Sequence, residues 1–337
     1  MLTLKRIKAA GASYHKFRRF SSALARYEFL RALKNSYYLR NKKESKRYQD
    51  LLFDAISKQI PDTIEKYKST TWTDGTPHDG VAPIWICRLD GPEKLPAITS
   101  RCIRSVCDHA GQHPVKYIDF YNIDKYVSLP KYIIDLRDQG TIPLANFCDI
   151  LRLALLYEHG GLWLDSDLFV SRDIPDAFFS KPFITEKNDY QDIYQGESLR
   201  YLSQGNWTPQ VIGGWKGNTL FKYALDAHFE YWQKNDTLID HLFIDYILEI
   251  ARRTFPNVKE AFEVGAVHNG RYRKLSRAFN DALPKTDLSL IIPKDTVFNT
   301  LSWKSKYPSL TADGNEAVFC AFLEYPKADI EYLKKCR

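Results

Sequence analysis

One segment near the middle of the chain constrains the fold more than any other: an apolar helix that leads, through two glycines, into an apolar strand. Apolar side chains recur at the helical period over residues 144–159, and Gly160 and Gly161 end the helix. The run LWLDSDLFV, residues 162–170, has the composition of a buried strand. A helix that delivers a buried strand predicts an α/β fold.

That strand carries two aspartates, Asp165 and Asp167. Because side chains alternate along a strand, we expect both carboxylates on one face near its carboxyl end, where open α/β sheets bind ligands. Neighbouring carboxylates repel each other unless a cation or a shared proton lies between them, which favours Mn²⁺ or Mg²⁺ held by oxygen ligands. The alternative is a solvated strand end, although unpaired charges among apolar neighbours would be costly.

The polar face of the helix adds Asp149 and Arg152 at the spacing i, i+3, close to the turn that delivers the two aspartates. One interpretation is an ordinary helical ion pair, which contributes roughly 0.2–0.5 kcal/mol. The other is a binding site in which the pair hydrogen-bonds the hydroxyls of a ligand while Arg152 faces the ligand's charge.

A turn-rich segment, Thr71–Gly80, divides the chain into two predicted parts. Residues 1–75 are expected to form a mainly helical extension. Two predicted strands around a predicted helix follow the turns, at Val81–Cys87, Ala97–His109 and Val115–Phe120. Strand, helix and strand at this spacing predict a parallel sheet with helices packed on it, so we expect residues 80–337 to form one α/β domain.

The basic charge of the chain is concentrated at its start. The sequence holds 48 Lys and Arg against 41 Asp and Glu, yet residues 1–48 contain 14 basic and only two acidic residues, so the remainder is mildly acidic. Aromatic side chains alternate with these cations. We expect this segment to meet an anionic membrane surface. A solvated helical hairpin packed on the body is the alternative, and nucleic acid is not expected as a partner.

Composition also restricts the class of protein. No apolar stretch is long enough to cross a bilayer, and the N-terminus lacks the apolar region of a secretory signal, so we expect a cytoplasmic protein that is at most peripheral on the inner face of the cell membrane. The six cysteines include no CxxC pair and no zinc-like spacing. This pattern argues against a zinc finger or a disulfide framework and predicts reduced thiols.

Four blocks of the sequence resemble one family. FCDILRLALLYEHGGLWLDSDLFV resembles the DxD block of the capsular polysaccharide synthesis proteins, a family related to the glycosyltransferase sugar-binding DxD group. APIWICRLDGPEKLPAITSRCIRSV resembles the first strand and helix of that family, YVSLPKYIIDLRDQGTI the segment before the DxD helix, and YWQKNDTLIDHLFIDYIL a later helical motif. Together these blocks cover most of residues 80–250.

The resemblance implies a GT-A type of fold, a Rossmann-like mixed sheet flanked by helices. It also implies a retaining hexosyltransferase that moves a sugar from a nucleotide sugar, expected to be a UDP-sugar, to a saccharide or lipid-linked saccharide acceptor in capsular or other surface polysaccharide synthesis. Mn²⁺, or Mg²⁺, would bridge the DxD to the diphosphate. By this resemblance Asp167 is the metal ligand, Asp165 contacts the ribose, the sugar or a metal-bound water, and Asp149 and Arg152 contact the donor sugar.

The first strand supplies further expected donor contacts. By the same resemblance Ile84 and Trp85 lie beside the base, although a core position explains the tryptophan equally well. The chain then departs from its relatives. Where many members continue with tryptophans and glutamine, this sequence has Arg88-Leu89-Asp90-Gly91.

Later segments hold the remaining candidates. Gly213 and Gly214, in VIGGWKGNTL, are expected to let the backbone approach a sugar, with a tight turn as the alternative. His241 and Asp245 have the spacing of one helical face and are expected on the acceptor side, although a core histidine with a carboxylate partner would have the same spacing.

Three residues near the end of the chain are weaker candidates. His268 is expected to complete the metal ligands, Asn299 is a further site candidate, and Trp303 is expected to close over the diphosphate.

Two rival functions share the DxD. A phosphatase or phosphotransferase would use the aspartates as nucleophile and acid, but such enzymes carry the motif on an early strand, and here 164 residues precede it. A non-catalytic basic module that binds membrane or RNA is the second rival. The sequons at Asn206 and Asn235 leave a secretory-pathway transferase as a further alternative.

Overall fold

The structure, a computed structural model, describes residues 4–33, 42–188, 202–283 and 291–336. Part of the basic segment, residues 34–41 with Tyr37 and Tyr38, lies outside the described residues. Within them, no helix combines the length and the apolar character that crossing a bilayer requires.

Four helices open the chain: α1 (Leu4–Arg18), α2 (Ser22–Leu33), α3 (Lys42–Ser57) and α4 (Pro61–Ser69). Their apolar faces belong to the same hydrophobic cluster as the body of the protein, which runs from Phe17 and Leu24 through Tyr67 to Trp163. The expected linker is also bound to the body, because Thr73 exchanges hydrogen bonds with Thr219. The predicted extension is therefore helical, and it packs on the rest of the chain.

The remaining strands and α-helices form the α/β part of the chain. In chain order they are β1 (Ile84–Cys87), α5 (Ala97–Asp108), β2 (Val115–Ile118), α6 (Lys131–Asp138), α7 (Leu144–His159), β3 (Gly161–Leu164), β4 (Leu168–Val170), β5 (Phe183–Lys187), β6 (Val211–Gly214), α8 (Thr219–Lys234), α9 (Phe243–Thr254), α10 (Pro256–Gly265), β7 (Ala266–His268), α11 (Lys274–Ala278), β8 (Phe298–Thr300), α12 (Val318–Glu324) and α13 (Ile330–Lys334).

The main sheet has six strands in the order β2-β1-β3-β6-β5-β7. Strand β1 pairs in parallel with both β2 and β3, whereas β6 is antiparallel to its neighbours β3 and β5. Helices cover the sheet. This mixed α/β architecture, with a six-stranded sheet flanked by helices, confirms the predicted fold class.

The single strand predicted over residues 162–170 is wrong, because the chain breaks it at the two aspartates. Strand β3 belongs to the main sheet, whereas β4 pairs with β8 in a separate two-stranded sheet. Between them the backbone turns, and the amide of Leu168 donates to the carbonyl of Asp165 at 3.1 Å. Asp165 and Asp167 therefore lie on a turn that connects two sheets.

Candidate functional site

A cavity of about 740 Å³ opens where the parallel strands end. Its walls include the residues that follow β1, the turn that follows β3, and the polar face of α7. Such a volume suits a ligand of drug or nucleotide size. The predicted site residues that line it are Asp149, Arg152, Asp165, Asp167, His241, Asp245 and Trp303.

One side of the cavity, which we call the inner wall, consists of Asp149, Arg152, Trp163 and Asp165. The guanidinium of Arg152 lies 3.0 Å from a carboxylate oxygen of Asp165 and 3.3 Å from one of Asp149. Its other terminal nitrogen donates to the carbonyl of Pro209 at 2.7 Å. The Trp163 indole N–H donates to the same Asp165 oxygen at 2.8 Å. The charge of Asp165 is therefore already compensated by protein groups.

A second group of lining residues, which we call the mouth, consists of Arg88, Asp167, Trp303 and Lys304. Within the described part of the chain, no side chain donates a hydrogen bond to the Asp167 carboxylate. Burial and the neighbouring Asp165 raise the pKa of Asp167 to about 7, while Arg88 and Lys304 act in the opposite direction. The backbone of Asp167 is fixed, because its carbonyl accepts from the Leu301 amide at 3.0 Å. Asp167 is thus held in place with its carboxylate available to a ligand.

Two of the mouth residues have no counterpart among the sequence predictions. The Arg88 guanidinium lies 4.6 Å from the centre of the Trp303 ring and 3.0 Å from a carboxylate oxygen of Asp90. Lys304 follows Trp303 directly. Arg88 was missed although it comes immediately after β1, where ligand contacts are expected in an open α/β sheet.

Asp149 contacts charged and polar side chains at the inner wall. Burial raises its pKa to about 7, Arg152 lowers it and Asp165 raises it. The Asn146 amide donates to Asp149 at 3.4 Å and accepts from the Trp232 indole at 2.9 Å. Asp149 and Arg152 form the helical ion pair that the spacing indicated, and both also face the cavity.

His241 and Asp245 both reach the cavity, but not on one helical face as predicted. Helix α9 begins at Phe243, so His241 lies in the preceding turn, where it pairs with Asp240 at 3.4 Å. Asp245 lies in the first turn of α9 and is 5% exposed. Burial and the nearby Asp149 raise the pKa of Asp245 to about 8.

The structure does not bring four of the candidates to the cavity lining. Ile84 and Trp85 are buried in β1, and the Trp85 indole donates to the carbonyl of Gly160 at 2.8 Å. At Gly213 a Cβ would lie 2.4 Å from the carbonyl oxygen of Gly161, and at Gly214 it would lie 2.2 Å from that of Pro182. Close packing of β6 between its neighbours accounts for this glycine pair.

His268 and Asn299 also lie away from the cavity lining. His268 is at the edge of the sheet on β7, where its ring is 3.2 Å from a carboxylate oxygen of Asp295. Asn299 is buried in β8 and donates to the Phe169 carbonyl at 3.2 Å and to the Ser171 hydroxyl at 3.1 Å. These contacts hold the two-stranded sheet together beside the aspartate turn.

The donor set of the aspartate turn fits a hard divalent cation. In the described ranges, no three His, Cys, Asp or Glu side chains gather as a complete metal site. An ion such as Mn²⁺ or Mg²⁺ needs only one or two protein carboxylates, because water and phosphate oxygens complete its shell. The carboxylate of Asp167, which receives no side-chain hydrogen bond in the described residues, meets that requirement, and Asp165 lines the same cavity.

Comparison with known proteins gives one clear result. No curated protein matches the chain. A solved apo structure of the bifunctional glycosyltransferase WbbM aligns over 98% of this chain and 72% of its own, at 12% sequence identity and a TM-score of 0.39. The model of the capsular polysaccharide synthesis protein family matches residues 33–319, which is most of the sequence. The chain therefore belongs to the capsular polysaccharide synthesis proteins.

Proposed function

We propose that the protein is a glycosyltransferase that moves a sugar from a nucleotide sugar to a saccharide acceptor during the synthesis of capsular or other surface polysaccharide. The observation that carries this proposal is the convergence of Asp149, Arg152, Asp165 and Asp167 on one cavity. Membership of the capsular polysaccharide synthesis family supports it independently.

The metal belongs to the proposal. Mn²⁺, or Mg²⁺, would be held by Asp167, and Asp165 lines the same cavity. Such an ion neutralises the charge that develops on a departing diphosphate. The chain contributes a fixed carboxylate in a partly buried setting, and electrostatic stabilisation is strongest where water is largely excluded. His268 is not part of this ligand set, because the structure pairs it with Asp295 outside the cavity lining.

Charges at the mouth suit the diphosphate of the donor. Arg88 and Lys304 both line the cavity and both act on Asp167 electrostatically. Arginine and lysine are the usual partners of phosphate oxygens. We place the diphosphate of a UDP-sugar here, beneath the exposed ring of Trp303, and the donor sugar beside Asp149 and Arg152. Retention of anomeric configuration is the expected course.

The acceptor side of the proposed site, which we call the acceptor wall, is formed by His241 and Asp245. A carboxyl whose pKa is about 8 is largely protonated at neutral pH, so Asp245 can donate a hydrogen bond to an acceptor oxygen. His241 is exposed beside it and can contact a larger saccharide. These two residues line the same cavity as the mouth residues that would hold the diphosphate.

A screen of nucleotide sugars tests the proposal without knowledge of the acceptor. The purified chain is incubated with each donor and with Mn²⁺ or with a chelator, and both thermal stability and release of free sugar are measured. We expect Mn²⁺-dependent stabilisation and slow hydrolysis with one donor class. Hydrolysis of phosphate monoesters, with no response to any nucleotide sugar, would support the phosphatase alternative and overturn the proposal.

A further inference from the structure

The hairpin of α1 and α2 exposes apolar side chains that the fold does not use. Leu4 and Ile7 are 69% and 48% exposed, and Leu30 on α2 is 54% exposed. Leu4 and Ile7 are one turn apart and therefore share a face of α1. The inward face of the same hairpin is conventional, with Leu24 and Phe17 buried against the body. The hairpin thus has a packed side, and it also exposes apolar side chains at the start of α1 and on α2.

The charge around these side chains is of one sign. Residues 4–33 contain eight Lys and Arg and one acidic residue, Glu28. Glu28 is buried and pairs with Arg31 at 2.8 Å, so the exposed surface of the hairpin carries cations alone. Lys5 and Lys8 flank the exposed Ile7 on α1. Apolar side chains surrounded by cations match a bilayer surface, which offers acyl chains beneath anionic head groups.

The other end of the hairpin contacts the segment that leads to the acceptor wall. Arg19 donates to the side chains of Asp236 and Thr237. The Phe20 ring is stacked on that of Tyr231, with 6.4 Å between their centroids. These contacts join the turn between α1 and α2 to the end of α8 and to the segment that follows it.

Hydrogen bonds continue from that contact to the cavity. The Tyr231 hydroxyl accepts from the Ile239 amide at 2.9 Å, and Tyr48 on α3 donates to Asp240 at 3.2 Å. Asp240 in turn accepts from the Leu242 amide at 2.9 Å. His241 and Leu242 line the cavity. The hairpin therefore contacts Tyr231, which holds Ile239, and the chain continues from Ile239 through Asp240 to the cavity-lining His241 and Leu242.

We propose that the α1–α2 hairpin docks the protein on an anionic bilayer by inserting Leu4 and Ile7, and that its contacts with residues 236–242 hold the acceptor wall on the membrane side of the cavity. The second half of this inference rests on the proposed function, since it makes the acceptor a membrane-borne saccharide. The first half concerns binding alone.

Vesicle flotation of the full chain tests the docking. The probes are phosphatidylcholine vesicles with and without roughly 30% phosphatidylglycerol, at salt concentrations of about 0.05 M and about 0.5 M. We expect binding to the anionic vesicles only, weakened by salt. The double variant Leu4→Ser with Ile7→Ser keeps every charge and should lower the affinity by at least about tenfold, because the inserted apolar surface is lost.

A matched control replaces exposed apolar side chains elsewhere, Val264→Ser with Leu310→Ser, which are 60% and 57% exposed. This control should float like the parent protein. Both double variants should melt like the parent and keep its donor hydrolysis, so a failure of docking is separable from a failure of the proposed function. Equal flotation of the two double variants, or salt-sensitive binding to single-stranded RNA with none to vesicles, would overturn the docking.

Hydrogen exchange of the parent protein tests the second half. On anionic vesicles we expect slower amide exchange both in residues 4–18 and in residues 236–242, and no change in residues 302–316. Protection confined to α1 would overturn the placement of the acceptor wall, while leaving the docking itself supported.

Discussion

The inner wall and the mouth of the cavity both contain aspartate, arginine and tryptophan, but these side chains interact differently in the two places. At the wall, Arg152 and Trp163 compensate the charge of Asp165 at distances of 3.0 and 2.8 Å. At the mouth, two residues further along the chain, Asp167 receives no side-chain hydrogen bond in the described residues. Carboxylates that are already paired hold a structure together, whereas a buried one without a partner is costly unless it serves a ligand. The two aspartates of one motif therefore have different roles: Asp165 is paired within the protein, and Asp167 is available to a ligand.

The largest expected effect comes from removing the centre of the wall. Arg152→Ala leaves two carboxylates without their cation, and breaking a buried pair from one side typically costs about 3–5 kcal/mol. We expect a loss of that size in the free energy of unfolding at pH 8, measured with urea. At pH 5 the loss should be smaller, because Asp149, whose pKa is about 7, is then largely protonated in the parent protein as well.

The control for this prediction is Arg88→Ala at the mouth, whose ion pair with Asp90 is partly exposed and should contribute at most about 1 kcal/mol. If the two arginine variants lose equal stability, the distinction between wall and mouth is wrong.

Asp167→Asn should act on activity and leave the fold intact. The substitution removes the charge while keeping the shape, so donor turnover with Mn²⁺ should fall at least about 10²-fold, or about 3 kcal/mol in barrier height. Without metal the variant should be at least as stable as the parent, because an uncompensated carboxylate is gone. Steady-state rates and thermal melts with and without a chelator measure both effects. Near-normal metal-dependent turnover would contradict the ligand assignment.

The pH dependence of stability follows from the same carboxyls. Burial raises the pKa of Asp149 and Asp167 to about 7 and of Glu186 and Asp245 to about 8. Between the unfolded value near 4 and these values, these four groups hold more protons in the folded state, so they lower metal-free stability as pH rises. Buried His228, whose pKa burial lowers to about 3, acts in the opposite direction below about pH 6.5, but it is one group against four. Each group contributes at most about 1.4 kcal/mol per pH unit within its window.

Urea unfolding in a chelator at a series of pH values from about 4 to about 9 measures this trend. Glu186→Gln should flatten it, because this buried carboxyl accepts only from Asn188 and Asn269 and has no cation partner in the described chain. A stability that rises with pH across this range would contradict the raised pKa values.

The smallest effects separate the two tryptophans. Trp163→Phe removes the donor to Asp165 and should cost about 1–2 kcal/mol in unfolding free energy. Trp303→Phe removes no hydrogen bond at this partly exposed position, so stability should change by less than about 0.5 kcal/mol. Only the second variant is expected to bind a nucleoside diphosphate less tightly while melting like the parent. If Trp303→Phe lost more stability than Trp163→Phe, the roles assigned to the inner wall and the mouth would be wrong.

The sequence predicted elements well where their signals were local. The helix of residues 144–159 ends where Gly160 follows it, and the strands β1 and β2 lie within the predicted runs. The break between β3 and β4 could not be predicted, because distant partners hold it. The Asp165 amide donates to the Gln210 carbonyl, and β4 pairs with residues 298–300.

The same distinction between local signals and distant partners applies to the candidate site. Asp149, Arg152, Asp165 and Asp167 are close in sequence and share one cavity. Arg88 and Lys304 lie far apart in the sequence, and only the fold brings both to the cavity. The spacing to Asp245 predicts His241 on a helix, but α9 starts after it, and the Leu242 amide donates to the Asp240 carboxylate in the preceding turn.

The pairing of β4 with β8 also determines when the aspartate turn can form during synthesis of the chain. Asn299 reaches back 130 residues to hold the Phe169 carbonyl, and the Leu301 amide secures the backbone of Asp167. A ribosome needs on the order of ten seconds to make that stretch. During synthesis the six-stranded sheet can begin to assemble while Asp167 still lacks its supporting strand, so the chain fixes the position of Asp167 only after most of its residues have been made.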